Sequence, residues 1–205
     1  MKLFWSSRSP FVRKVMVVAH ETGMNNRIEK LPVVVSMTSE PTAQVMLHNP
    51  LNKIPTLITD EGLVLFESVV ICEYLDSLHS GPKLFPVQAG QRWKALRWQA
   101  LGSGMLEAEL LWRSELRRPQ GSQMAVVIHA FEKKIGTALD MLEIEADQLK
   151  MEPYGIGHVS IACALAYLDF RFIGYDWRKG HPEIAGLFTT LSARPAMQAT
   201  AFVDA

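Results

Sequence analysis

Two stretches carry residues able to do chemistry. The longer is Asn49-Pro50-Leu51-Asn52-Lys53-Ile54-Pro55, followed by Thr56-Leu57, Asp60-Glu61-Gly62 and Leu63-Val64-Leu65-Phe66-Glu67-Ser68. It reads as a turn, a short strand entered through a proline, a tight hairpin and a second strand. That strand ends at an acid and a serine where a helix begins. Proline lacks an N–H, so Pro55 belongs at the start or on the edge of a strand, and just after a loop it is a candidate cis-proline. Asp60-Glu61-Gly62 supplies the hairpin turn. Glu67-Ser68 stands at a helix N-terminus, where free N–H groups and the helix dipole favour a bound anion. The shorter stretch is Ser9-Pro10, an N-cap hydroxyl followed by proline at the first helical position. The chemistry on offer is anion recognition at one helix end and a hydroxyl at another.

The elements that must position these residues follow from periodicity. Lys2-Leu3-Phe4-Trp5 is a short apolar strand and Ser6 to Ser9 a polar turn. From Pro10, the residues Phe11, Val12, Val15, Met16, Val18 and Ala19 form one broad apolar helical face, with Arg13 and Lys14 off it, and Gly23 ends the helix. Arg27 to Val35 is expected to be a buried strand, and Pro41 to Leu47 a short helix at most. With Pro55–Thr59, Leu63–Phe66 and a helix from Ser68 to about His79, residues 1–79 form an α/β domain of order βαβαββα around a mixed four-stranded sheet. Residues 80–87, containing Ser80-Gly81-Pro82 and Phe85-Pro86, read as a linker.

Residues 88–205 change character and show no strand pattern. Long helical periodicities run from about Gln88 to Arg117 and from Gly121 to Lys150, broken by Pro119-Gln120-Gly121. A third helix, from about Ile156 to Phe172, is apolar nearly all round and so belongs in the centre of its domain. Short helices follow at Pro182–Leu191 and Pro195–Thr200, which makes 88–205 an all-α domain.

Charge and composition narrow the function classes. Lys plus Arg total 21, equal to Asp plus Glu, and the sequence pI is about 7.0. That balance argues against a nucleic-acid binder, whose footprint is basic. No apolar run reaches the roughly 18–20 residues of a membrane-spanning helix. The N-terminus lacks a signal-peptide layout. Cys72 and Cys163 form no CxxC pair and sit in apolar helical patterns, so buried free thiols and a cytoplasmic location are expected. No metal site is expected.

The chain resembles the cytosolic glutathione transferases of the bacterial type from end to end. Ser9-Pro10-Phe11-Val12-Arg13 looks like the glutaredoxin Cys-Pro-Phe/Tyr pattern with serine in the cysteine position. Asn49-Pro50-Leu51-Asn52-Lys53-Ile54-Pro55 is similar to the family's Asn-Pro-x-Gly-Lys-Val-Pro. Glu67-Ser68-Val69-Val70-Ile71-Cys72-Glu73-Tyr74-Leu75 is close to its Glu/Asp-Ser-x-x-Ile-x-x-Tyr-Leu. The buried helix with Ala162 to Arg171, then His181-Pro182 and Ala193-Arg194-Pro195, completes the likeness. The resemblance implies a thioredoxin-like N-terminal domain that binds glutathione, followed by the helical domain. It implies Ser68 for the γ-glutamyl carboxylate, Glu67 for its amine, Lys53 for the glycyl carboxylate, and the Ile54 backbone beside a cis Pro55 for the cysteinyl part. Ser9 is then the catalytic candidate, donating to the glutathione sulfur at a positive helix end, with Ser6 and Ser7 as neighbouring competitors.

By the same resemblance the electrophile site should lie between the domains, with Arg8, Phe11, Met105, Glu109 and Trp112 as its walls. The expected activity is conjugation of glutathione, as cosubstrate, to a small electrophile, in a homodimer that buries part of the face around Cys72–His79 and the first long helices. The alternatives are a non-catalytic glutathione or ligand binder and a regulatory partner protein on the same fold. Two departures from the family pattern carry expectations. Gly155-Ile156-Gly157-His158 stands where a Ser/Thr-x-x-Asp capping box is usual, so a weaker start of the buried helix is expected. Asn52 replaces a common glycine, and the turn should survive because Asn tolerates positive φ.

Overall fold

In a computed structural model, residues 1–36 and 39–204 are described. The chain divides into two compact units: Met1–Ala89 together with Pro195–Ala205, and Gly90–Arg194. The first contains β1 (Lys2–Trp5), α1 (Pro10–Glu21), β2 (Glu29–Pro32), α2 (Ala43–Met46), β3 (Thr56–Ile58), β4 (Val64–Phe66) and α3 (Ser68–Ser77). The sheet order is β2-β1-β3-β4, with β1 parallel to β2 and antiparallel to β3, and β3 antiparallel to β4. This is the mixed four-stranded sheet expected from the sequence, in the thioredoxin-like domain that the resemblance implied.

Local chemistry explains the element ends. Ser9 caps α1 and accepts the Val12 N–H at 3.3 Å, with Pro10 in the first turn. Thr22 closes the helix, and Gly23 at φ +70 takes the left-handed position that follows it. The buried strand expected over Arg27–Val35 is instead the short edge strand β2, whose residues are exposed or half-buried. Pro32 explains this, because proline cannot donate to a neighbour on its outer side and so belongs on an edge. Arg13 and Lys14, off the apolar face of α1, are nevertheless buried. Arg13 is covered within its unit, because its Nη2 donates to the Met197 carbonyl at 3.1 Å and its guanidinium lies 4.5 Å from the Phe202 ring centroid. The last helix, α8 (Pro195–Ala199), thus packs on α1 rather than continuing the helical domain as the sequence reading had it.

Asp76, buried near the end of α3, accepts the Leu84 and Phe85 N–H groups at 2.9 and 3.0 Å and pairs with His79 at 3.0 Å. The expected linker is therefore pinned to the sheet unit over this stretch.

The second unit holds α4 (Ala89–Leu116), α5 (Ala125–Met151), α6 (Ile156–Arg171) and α7 (Pro182–Ser192), with no strand among the described residues. α6 is buried from Ile156 to Leu168, as its all-round apolar sequence requires. Two glycines let α4 and α6 approach: a Cβ on Gly102 would meet the Ser160 carbonyl carbon at 2.5 Å, and one on Gly157 the Trp98 Cβ at 2.8 Å. The start of α6 is firmer than expected. His158 replaces the missing carboxylate: its Nδ1 accepts the Gly155 N–H at 3.2 Å while Nε2 donates to the Leu149 carbonyl at 2.8 Å. Burial, the main cause, holds the imidazole below its usual pKa and so in the neutral form this pattern needs. Cys72 and Cys163 are buried free thiols, as read from the sequence. Among the described residues no helix is long and apolar enough to cross a membrane.

Candidate functional site

The sheet register assembles the sequence-predicted residues. Phe4 pairs with Thr56, and Thr56 with Phe66. One step further along each strand brings Trp5, Pro55 and Glu67 into a row at one end of the sheet. The turn leading to Ser9 leaves from this end of β1, Pro55 enters β3 there, and Ser68 starts α3 there. Strands lie about 4.8 Å apart, so the row from β1 to β4 spans about 10 Å, the length of an extended tripeptide.

Each member has a local cause. The Ile54–Pro55 peptide bond is cis, as the sequence suggested. Ile54 precedes β3, and neither its N–H nor its carbonyl makes a backbone hydrogen bond among the described residues. The loop that presents it is clamped from beneath. Asn49, 2% exposed, donates through Nδ2 to the Lys53 carbonyl at 3.0 Å and to Thr56 Oγ1 at 3.1 Å, and its Oδ1 accepts the Leu51 N–H at 3.0 Å. Thr56 Oγ1 also donates to the Lys53 carbonyl at 2.8 Å. Asn52 sits at φ +50, as anticipated, and its Oδ1 accepts the Thr42 N–H at 3.0 Å. Asn49 and Thr56 were missed as site-building residues. Their signal was an Asn before Pro50 and a Thr after Pro55, on either side of the exposed Lys53.

Glu67 occupies the left-handed region at φ +71, where non-glycine residues are uncommon. Its carboxylate accepts the Ser68 N–H at 2.8 Å, the Ser68 hydroxyl at 3.0 Å and the Val69 N–H at 3.1 Å. The helix end is thus an anion site, and the anion seated on it is the protein's own carboxylate. Ser68 is fully buried, whereas Glu67 and Lys53 are exposed. Ser9 is half-buried; its oxygen accepts from Val12, leaving the hydroxyl proton to donate.

The residues named for the electrophile wall fall in both units. Arg8 and Phe11 are half-buried beside Ser9. In the second unit Met105, Glu109 and Trp112 follow one face of α4 and are 3%, 0% and 3% exposed. Trp112 stacks on Phe172 at 4.4 Å and meets Tyr175 edge-on at 5.3 Å, the packing of a core residue. Neither Glu109 carboxylate oxygen has a hydrogen-bond partner among the described residues. Burial without a partner raises its pKa well above the usual carboxylate range.

The N-terminal domain model of the glutathione S-transferase family matches residues 8–78. Over 203 residues the chain is 31% identical to the uncharacterized GST-like protein YibF of Escherichia coli (strain K12), covering 98% of each chain. This chain belongs to the glutathione S-transferase family. Among solved structures it is similar to a glutathione transferase family member from Pseudomonas fluorescens Pf-5 with bound glutathione, at 41% identity and TM-score 0.93 over 97% of each chain. A structure of a family member from the same source, with bound S-(propanoic acid)-glutathione, matches at 39% identity and TM-score 0.89 over 98% of each chain. The glutathione S-transferase fold therefore accounts for both units. The Asn49–Ser68 corner and all of α1 lie inside the matched N-terminal domain.

Proposed function

We propose that the protein binds reduced glutathione along the β1–β3–β4 end of the sheet and transfers it to a small electrophile. The single observation that carries this reading is the Glu67–Ser68 helix end, already organised around a carboxylate. In this reading the γ-glutamyl carboxylate takes the Ser68 hydroxyl and the Ser68 and Val69 N–H groups. Glu67 swings from them to the adjacent ammonium, so one exchange of carboxylates recognises both charges. The Ile54 N–H and carbonyl pair with the cysteinyl backbone as an added strand, opened by cis Pro55, and Lys53 reaches the glycyl carboxylate.

The cysteinyl sulfur then falls towards Ser9. A free thiol has a pKa of about 8.5, so little thiolate exists at neutral pH. The Ser9 hydroxyl donates to the sulfur at the positive end of α1 and favours the thiolate. A drop of about two units corresponds to roughly 2.7 kcal/mol. The thiolate attacks an electrophilic carbon, the C–S bond forms, and the displaced electron pair leaves with a leaving group or moves onto a conjugated carbonyl that takes a proton from water. The adduct bound by the Pseudomonas relative carries a three-carbon acid on sulfur, which favours small acidic electrophiles for this chain as well.

We further place the protein in the cytoplasm as a homodimer. Cys72, Leu75 and Asp76 on the expected face point inward, and the exposed apolar side chains offered to such a dimer include Leu63, Phe66 and Val70, with Trp93 and Leu111 on the first long helix.

Calorimetric titration of reduced glutathione into wild type, Ser68→Ala and Ser9→Ala, paired with turnover of model electrophiles, tests the reading. Ser68→Ala should lose at least about tenfold in affinity, the value of one charge-assisted hydrogen bond. Ser9→Ala should keep its affinity and lose turnover. Absence of binding by wild type overturns the proposal. Binding with no turnover leaves the binder reading.

A further inference from the structure

The turn that delivers Ser9 is weakly held from within. Ser9 N–H reaches the Ser6 carbonyl at 3.3 Å, and Arg8 N–H reaches Ser6 Oγ at 3.4 Å. The shortest hydrogen bond to the turn comes from the far end of the chain: Ser7 Oγ donates to the Val203 carbonyl at 2.8 Å, and the Val203 N–H returns to the Ser7 carbonyl at 3.4 Å. One helical turn beyond Ser9, on the same face of α1, Arg13 is held by the same segment through Met197 and Phe202. Residues 197–203 therefore grip the chain on both sides of Ser9, two residues before it and four after it.

We propose that this segment is a strap, with Ser7, Arg13 and Phe202 as positioning residues that aim the Ser9 hydroxyl and the α1 N-terminus at the glutathione sulfur. The inference rests on the reading of Ser9 as the thiolate's donor. Glutathione affinity is set elsewhere, at Lys53, Ile54 and Ser68, so the strap acts on the ionisation of the bound thiol and not on its capture. Loosening the strap lets the hydroxyl and the first-turn N–H groups drift from the sulfur and weakens both.

The test compares Ser7→Ala, Ser7→Thr, Phe202→Ala and Ser9→Ala in the full chain. The readouts are thiolate absorbance of bound glutathione against pH, the pH profile of turnover, and glutathione Kd. Phe202→Ala and Ser7→Ala should each move the thiol titration to higher pH by roughly half to one unit and lower turnover at pH 6.5 about three- to tenfold, with Kd within about twofold. Ser7→Thr, which keeps the hydroxyl, should restore the wild-type profile. An unchanged profile in Phe202→Ala beside a shifted one in Ser9→Ala overturns the strap and leaves the Ser9 reading standing. A shift in Ser7→Ala alone also overturns it, because Ser7 would then touch the sulfur directly. No shift in Ser9→Ala removes the Ser9 reading and the strap with it.

Discussion

Alanine at Gly102 and alanine at Gly104 should have opposite effects, although the two sites are two residues apart on α4. At Gly104, which is exposed, an added Cβ meets nothing within 4 Å. The substitution only removes glycine's unfolded-state freedom, and should stabilise by about 1 kcal/mol. At Gly102 the same Cβ would lie 2.5 Å from the Ser160 carbonyl carbon, 2.7 Å from the Ile161 nitrogen and 2.8 Å from the Ser160 oxygen. Ordinary contact begins near 3.4 Å, so α4 and α6 must part by about 0.9 Å (3.4 minus 2.5). All three atoms are backbone, in a buried helix, and no side chain can rotate away. Overpacking of this kind costs roughly 1–3 kcal/mol, and a backbone clash belongs at the top of that range. After the propensity gain, Gly102→Ala should lose about 2 kcal/mol, which places the pair about 3 kcal/mol apart. Urea unfolding followed by tryptophan fluorescence reads this difference, since Trp98 and Trp112 lie on the same helix. With a slope near 3 kcal/mol per molar, the midpoints should differ by about 1 M. Equal midpoints for the two variants would refute the close helix approach and the argument built on it.

Three further outcomes follow from buried polar groups. Glu109→Met should stabilise by about 1–3 kcal/mol at neutral pH, because it removes a buried carboxyl that has no hydrogen-bond partner among the described residues. Its raised folded pKa means that the wild type loses stability as pH climbs above the unfolded value of 4.5, so the gain should grow with pH in paired melts. His158→Ala should cost on the order of 3 kcal/mol by orphaning the Gly155 N–H and the Leu149 carbonyl. Because the folded pKa of His158 is depressed, wild-type stability should be full above 6.5 and fall as pH drops below it, a slope that the variant lacks in denaturation at pH 5 and 8. Asn49→Ala should cost about 2 kcal/mol and weaken glutathione binding by calorimetry, since it removes the Nδ2 bonds to the Lys53 carbonyl and Thr56 Oγ1 and the Oδ1 acceptor of the Leu51 N–H, which together shape the Ile54 loop.

Much of the molecule was legible because it is written in short range. The Ser9 cap, the Gly23 stop, the Asp60-Glu61-Gly62 hairpin, the cis-proline position and the Glu67–Ser68 helix start each depend on neighbours a few residues away. Turn and cap chemistry is local. The helical half was legible because α4, α5 and α6 are long and periodic. The apolar run Leu31 to Val35 misled because an apolar run does not say whether a strand is central or on an edge. Pro32 settled that only once β1 had chosen β3 as its second neighbour.

The sequence by itself determined which residues are offered for chemistry and the secondary elements on which they stand, since local propensity and side-chain type suffice for that. Tertiary structure alone decided their surroundings. It buried Arg13 beneath a segment 184 residues away and tied Ser7 to Val203 across 196 residues. It let His158 stand in for a capping carboxylate by placing Leu149 within reach. It also enclosed Glu109 with no hydrogen-bond partner among the described residues. Burial, pKa and the aim of a catalytic hydroxyl depend on what distant chain packs against a residue, and no window of neighbouring sequence contains that chain.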